Sequence, residues 1–174
     1  MRWVALLRGV NLGPRNKVPM AELRQALETA GYGSVRTYIA SGNVLLDGPA
    51  GRAALASQLE RLVADTFGVS TTVILRKPRD LAATVAAHPF ADASETHVAF
   101  LAACPRKAAA ARLDDLDAGA DRAVLAGAEV YLRLTHGVHG SPLSIPRLES
   151  LLGVPATLRN WRTVAALADL TVEA

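Results

Sequence analysis

The stretch VRTYIASGNVLL, residues 35–46, identifies the topology of this chain. It holds two β-rich runs around a Ser-Gly-Asn core, a pattern that predicts a hairpin or a strand with a bulge. A helical pattern precedes it, because Met20, Leu23 and Leu27 fall on one face of a helix. A second helix follows it, with an apolar face that consists of Leu55, Leu59, Leu62, Val63 and Phe67.

Two further apolar runs complete this unit. Residues 3–7 read as a buried strand before the first helix, and residues 72–75 read as another after the second helix, which ends at Gly68. The resulting order, β-α-β-β-α-β, is that of the split βαβ or ferredoxin-like arrangement. A short helix around Leu81 and Val85 follows.

The rest of the chain repeats this order. Its predicted elements are a strand over 98–103, a helix over 106–116, a two-strand unit over 123–132, a helix over 146–152, a strand over 156–158 and a last helix over 164–170.

Two pairs of glycines support a duplication. Gly42 and Gly127 lie 85 residues apart, and so do Gly68 and Gly153. We therefore predict an α+β protein of two ferredoxin-like (split βαβ) halves that arose by internal duplication, with antiparallel sheets and helices packed on one face. The predicted halves are residues 1–90 and 95–174, and together they form one compact unit.

The composition is that of a folded domain. Hydrophobic residues make up 51% and charged residues 20% of the 174 residues, which excludes the low hydrophobicity and high charge of disordered chains. The net charge of +3 allows an anionic ligand. The basic residues are spread along the chain, however, whereas a duplex-binding domain collects them on one face or in a run.

Cys104 is the only cysteine, which excludes an intramolecular disulfide and a zinc site made of several thiolates. It ends an apolar run, so a buried structural thiol is favoured over a reactive one. The apolar core of the N-terminus is too short for a signal peptide, and no window reaches the ~20 apolar residues of a membrane helix. A cytoplasmic location without a membrane partner is the prediction.

The first candidate site is the strand–loop–helix segment from Arg8 to Lys17. Its glycines allow close approach of a ligand to the backbone, and the next helix offers unpaired N–H groups. Arg8, Arg15 and Lys17 add positive charge, and Asn11 adds a polar group. The segment matches neither established glycine-rich phosphate motif, so a tight turn with solvated basic residues is an equal alternative.

The second candidate is the segment Tyr38–Val44, which has Ser41-Gly42-Asn43 at its centre. Ser41 and Asn43 have short polar side chains that either contact a ligand or stabilise a bulge, and bulge stabilisation is favoured. The third candidate is the segment 157–163. Arg159 and Arg162 flank Trp161 and suit an anion with a stacked base, whereas the favoured alternative is a core tryptophan at a helix start capped by Asn160.

The histidines indicate no metal site. His136 and His139 have a spacing that metals use, but no helix holds them and no third ligand lies nearby in sequence. His88 and His97 flank a loop with Asp92, which we interpret as a solvated connection. Neither a metal nor a cofactor is predicted.

Three motifs resemble one bacterial family. LRGVNLG with NKVPM (residues 7–20), SGNV (41–44) and T-x-RNW-x-TV (157–164) are similar to the LRGINVGGKNK, YIQSGNV and T-x-RNW-x-T-V motifs of the domain of unknown function 1697. The resemblance implies an α+β fold of two ferredoxin-like halves and no assigned activity. This chain departs from the family at Pro14-Arg15 in place of Gly-Lys, at Ala40 in place of Gln, and at Pro142 in place of Lys.

These observations favour binding of an anionic ligand over catalysis. The hypothesis is a basic cleft formed by the first strand–helix loop, the SGN segment and the RNW segment, with a nucleotide or a nucleic-acid phosphate as the partner it would suit. Two alternatives stay open: a small-molecule enzyme that uses the same pocket, with Ser41 or Tyr38 as reacting groups, and an interaction module whose sheet edge pairs with another chain. The sequence leaves the oligomeric state undetermined.

Overall fold

A computed structural model describes residues 1–172 of the protein. The first β-α-β-β-α-β series consists of β1 (Arg2–Leu7), α1 (Met20–Thr29), β2 (Gly33–Tyr38), β3 (Asn43–Asp47), α2 (Arg52–Phe67) and β4 (Val73–Arg76), and α3 (Pro78–Ala86) follows it. The second series consists of β5 (Thr96–Leu101), α4 (Lys107–Asp114), β6 (Arg122–Ala126), β7 (Glu129–Arg133), α5 (Ile145–Leu152) and β8 (Ala156–Asn160), and α6 (Trp161–Val172) follows it.

The two sheets have the same topology. The first has the strand order β2-β3-β1-β4 and the second β6-β7-β5-β8, with every neighbouring pair antiparallel. This is the ferredoxin-like order, so the predicted α+β fold of two similar halves is confirmed.

The strand registers show which residues are equivalent in the two halves. Arg76 lies opposite Val4 in the first sheet, and Arg159 lies opposite Val98 in the second. Gly68 and Gly153 end α2 and α5 in the left-handed conformation, at φ 66° and 70°, as the glycine spacing suggested.

The other glycine pair, Gly42 and Gly127, is offset by one residue in the structure. Leu7 N–H donates to the carbonyl of Gly42, and its counterpart Leu101 donates to that of Ala128. The structural equivalent of Gly42 is therefore Ala128, the residue after Gly127.

The helices cover one face of each sheet. In the first half, Leu23 and Leu27 of α1 and Leu55, Leu59 and Val63 of α2 are buried against alternate residues of the strands. In the second half, α4 and α5 contribute Leu113, Leu148 and Leu152 to an equivalent core. Each core follows from the period-2 strand pattern meeting the helical period.

The chain divides into two compact units. The first contains Met1–Leu81 together with the chain from Leu170, and the second contains Ala82–Asp169. The boundaries 1–90 and 95–174 stay a prediction, and residues 173 and 174 of the predicted second half lie outside the described residues. No helix of the described chain is long and apolar enough to cross a membrane.

Candidate functional site

The loop over residues 8–19 joins β1 to α1 in the first unit. Gly9 and Gly13 have φ of 69° and 75°, and Asn11 and Asn16 have φ of 57° and 53°. Asparagine tolerates this left-handed region better than other residues with a side chain. The loop folds back on itself, because Asn11 N–H donates to the carbonyl of Asn16 over 2.9 Å.

The side chain of Asn11 makes three hydrogen bonds to the backbone, two within this loop and one to the turn between β2 and β3. Its Nδ2 donates to the carbonyls of Val18 (2.9 Å) and Ala40 (2.7 Å), and its Oδ1 accepts from Val18 N–H (2.8 Å). The amide thus holds the loop closed and ties it to the turn between β2 and β3. Asn11 therefore has a structural role, because its side chain fixes the backbone conformation of the loop.

The SGN segment forms that turn. Asn43 is fully buried, and its Nδ2 donates to the carbonyl of Tyr38 (3.0 Å) and to Ser41 Oγ (2.9 Å). Gly42 has φ 77°, and a Cβ there would lie 2.6 Å from Val10 Cγ2. The segment is packed directly under the loop.

A recess of about 500 Å³ opens between the loop, the turn and the start of α1. It is lined by Asn11, Lys17, Val18, Pro19, Met20, Thr37, Ile39 and Ala40. Ile39 has φ 48° and is 51% exposed. Positive φ is costly for a β-branched residue, so the turn holds Ile39 in a strained conformation beside the recess.

The charges around the recess are mostly positive. Lys17 lines it and Arg15 lies on the same loop, both exposed and without an ion pair among the described residues. Arg8 is half-buried, and its main chain is bound by Thr72 O (3.0 Å) and Thr71 Oγ1 (2.8 Å).

Helix α1 begins at the rim of the recess. Pro19 is its N-cap and makes no capping side-chain bond, so first-turn N–H groups remain open to a ligand. Glu22 in the same turn carries the opposing charge.

Arg159 of the RNW segment faces inward. It is 6% exposed, and its Nη1 donates to Thr157 Oγ1 and to the carbonyl of Leu158, both over 2.8 Å. Burial lowers the pKa of Arg159 to about 10. The equivalent Arg76 is 3% exposed and donates to the carbonyl of Leu75 (3.0 Å). Both halves thus carry a buried arginine at the end of the fourth strand.

The rest of the RNW segment begins α6. Asn160 Oδ1 accepts from Thr163 N–H over 2.8 Å, which is an N-cap bond. The Trp161 ring packs on the His88 ring at 4.1 Å between centroids. Arg162 is exposed.

The first two motifs are therefore in contact within the first unit, through Asn11 and Ala40 and through Leu7 and Gly42. Residues 159–162 belong to the second unit. A ligand-binding role stays a prediction for Arg8, Asn11, Arg15, Lys17, Ser41, Asn43, Arg159, Asn160, Trp161 and Arg162.

One interpretation of a single residue is wrong. Cys104 is exposed, because β5 ends at Leu101 and the cysteine falls in the connection to α4. His88 and His97 are half-buried, and the loop between them carries exposed residues, among them Asp92, as expected for a solvated connection. His88 Nε2 lies 3.1 Å from Thr96 Oγ1.

The recess includes residues to which the sequence analysis assigned no ligand role, among them Met20, Thr37 and Ile39. Thr37 gave no signal beyond strand alternation. Ile39 did give a sequence signal, because it is a β-branched residue directly before a short turn. Such a residue must either end the strand or adopt a strained conformation in the turn. Among the described residues, no group of three or more histidine, cysteine or acidic side chains is placed to hold a metal.

The structure defines an α+β protein of two ferredoxin-like units, with a recess beside the β1–α1 loop of the first. The chain belongs to the family described as protein of unknown function (DUF1697), whose model matches residues 1–131. The match includes the loop and the SGN segment and ends before the RNW segment.

One solved structure supports the fold. That of the conserved bacterial protein SP0830 from Streptococcus pneumoniae is similar with a TM-score of 0.72 and 24% sequence identity, over 98% of this chain and 98% of that chain. No curated protein matches the chain.

Proposed function

We propose that the first unit binds a small anionic ligand, such as a phosphate group of a nucleotide or nucleic acid, in the recess beside the loop over residues 8–19. One observation carries the proposal: this loop has no counterpart in the second unit. There, the same strand is joined to the same helix by residues 102–106 alone. A ferredoxin-like unit therefore folds without such a loop, and loops beyond what a scaffold requires are where binding residues concentrate.

Tertiary contacts hold the loop over residues 8–19 in a defined conformation. The side chain of Asn11 donates two hydrogen bonds and accepts one, and Gly42 packs against Val10 of the loop. These contacts fix the loop in place. A closed loop presents its backbone at a small entropic cost, because the backbone is ordered before a ligand arrives.

The electrostatics suit an anion. Lys17 and Arg15 supply unpaired positive charge, and the open N-terminus of α1 supplies N–H donors and a partial positive charge. Glu22 reduces this potential but does not cancel it.

The lining offers no ring on which a base could stack. None of the residues that line the recess is aromatic. Stacking, which usually contributes about 1–3 kcal/mol per base, would thus be absent from the recess. Little discrimination among bases is expected.

A binding titration at low salt tests the proposal. The probes are ATP and a fluorescein-labelled thymidine oligonucleotide, measured by calorimetry and by anisotropy. A bound oligonucleotide should weaken with salt by a slope of about −0.7 for each phosphate neutralised. ATP binding without oligonucleotide binding would assign the recess to free nucleotides.

The variant Arg15→Gln/Lys17→Gln should weaken binding about tenfold or more, because charge-assisted hydrogen bonds are lost. Arg61→Gln, which removes an exposed charge from α2, is the matched control and should change affinity little. Absence of binding by either probe, or equal losses in the variant and the control, would refute the proposal.

The enzyme alternative gains no support from Ser41. Its hydroxyl accepts a hydrogen bond from the Asn43 amide, and an amide is not a general base.

A further inference from the structure

The edge strand β6 of the second unit has hydrogen-bonding groups open on its outer side. It is the first strand in the order β6-β7-β5-β8 and pairs only with β7. Its burial alternates, with Arg122, Val124 and Ala126 exposed and the other two residues half-buried. Among the described residues, no backbone hydrogen bond outside the β7 ladder involves residues 123–126.

The hairpin to β7 fixes which groups face outward. Ala126 and Glu129 are paired across the two-residue connection Gly127-Ala128, and the residues that flank such a connection exchange hydrogen bonds. Hydrogen-bonded and open pairs alternate along an antiparallel ladder. Ala123 and Leu125 therefore direct their N–H and C=O groups away from β7.

The equivalent edge in the first unit is protected. Strand β2 has a register irregularity between Gly33 and Arg36, and Ser34 within it has φ 47°. A bulge and an exposed charge are established ways to prevent edge pairing. Strand β6 pairs with β7 in unbroken register and carries one charge, Arg122, at its start.

We infer that β6 pairs antiparallel with β6 of a second copy of this chain, with the two-fold axis at Val124. In this register Ala123 faces Leu125 of the second copy, and roughly four backbone hydrogen bonds form. The two Val124 side chains meet as a non-hydrogen-bonded pair, where side chains are closest. Val124 is 38% exposed, and this contact would cover it.

The charges agree with self-pairing. Arg122 falls opposite Ala126 of the second copy, so no like charges meet. Beyond that alanine, on the same face, lies Glu129 of the second copy, because Ala126 and Glu129 are cross-strand partners. Two strand spacings, about 10 Å, separate the arginine from that glutamate. The Arg122 guanidinium donates to the carbonyls of Gly119 (2.7 Å) and Asp121 (2.8 Å), so the opposite charges complement each other across the edge without a direct ion pair.

The mass of the full chain in solution tests this inference, by light scattering coupled to size exclusion over about 5–500 µM. We expect a concentration-dependent dimer. Val124→Lys should return the protein to monomer, because two charges would meet at the axis. Ala123→Pro should do the same, since it removes an outward N–H and leaves the β7 ladder intact. Circular dichroism should show both variants folded.

Cysteine cross-linking tests the register in a Cys104→Ser background. Val124→Cys should form a disulfide-linked dimer under mild oxidation, because this pair is within disulfide distance. Ala126→Cys faces Arg122 and should not. A monomer at every concentration, a dimer that survives Val124→Lys, or equal cross-linking at both positions would overturn the inference.

Discussion

Gly42 and Gly13 have similar positive φ angles but different surroundings. Their φ angles are 77° and 75°, yet a Cβ on Gly13 would meet no atom within 4 Å, whereas one on Gly42 would lie 2.6 Å from Val10 Cγ2 and 2.9 Å from Leu7 Cβ. Gly42 is therefore required both for its conformation and for its lack of a side chain.

The two glycines make a matched pair of substitutions. Gly42→Ala should lower the free energy of unfolding by about 3 kcal/mol, because it adds overpacking to backbone strain. Gly13→Ala should lower it by about 1 kcal/mol, through strain alone. Urea unfolding of both variants measures the difference, and equal losses would show that packing under the loop is not tight.

Asn11 is the second residue on which the loop depends. Asn11→Ala removes three hydrogen bonds and leaves an alanine at φ 57°, so the loop should open. Trypsin, which cuts after Arg15 and Lys17, should then cleave the loop about tenfold faster or more. Asn16→Asp, which loses one bond of 3.3 Å, is the control. Similar cleavage of the two variants would contradict the proposed role.

At the scale of elements, α6 shows how one motif can serve a structural purpose. The helix begins at Trp161, its N-cap is Asn160, and the capped N–H belongs to Thr163. The same asparagine had suggested ligand binding, because a cap and a ligand contact require the same short polar side chain.

Substitution of Asn160 tests the cap. Asn160→Ala should cost about 1 kcal/mol of unfolding free energy, whereas Asn160→Asp should keep the stability because aspartate caps equally well. Urea unfolding at neutral pH compares them. A large loss in both variants would point to a requirement for the amide itself.

For the whole molecule, His97 links stability to pH. It lies on β5 between Leu132 and Asn160, and burial lowers its pKa below the ordinary 6.5. The folded protein thus binds this proton more weakly than the unfolded chain does. Its contribution to stability is complete above pH 6.5 and is lost as the pH falls through the folded-state pKa.

We expect His97→Gln to flatten the decrease in stability between about pH 7.5 and pH 5. The carboxylates of Asp92 and Asp121 have pKa values lowered below 3.8, so their effects fall at lower pH. His139→Gln, at an exposed position, is the control variant. Unfolding midpoints at a series of pH values provide the measurement, and an unchanged slope in His97→Gln would exclude this histidine as the cause.

The element order and the duplicated ferredoxin-like fold were predictable from the sequence. Apolar periods of 2 and 3.6 depend only on neighbours along the chain, as do the glycines that end α2 and α5. The candidate loop was predictable for the same reason, since its turn residues and cations lie together in sequence.

Only the tertiary structure decided what each polar side chain faces. Asn11 and Arg159 look alike in sequence as ligand groups, yet one closes a loop and the other is buried against its own strand. Cys104 looked buried and is exposed. For Asn11 the physical reason is that the carbonyl of Ala40, 29 residues away in a different turn, must be satisfied, and the Asn11 amide is the polar group that the fold brings to it. Local sequence determines where a helix or strand forms, whereas these contacts depend on which segments the fold brings together.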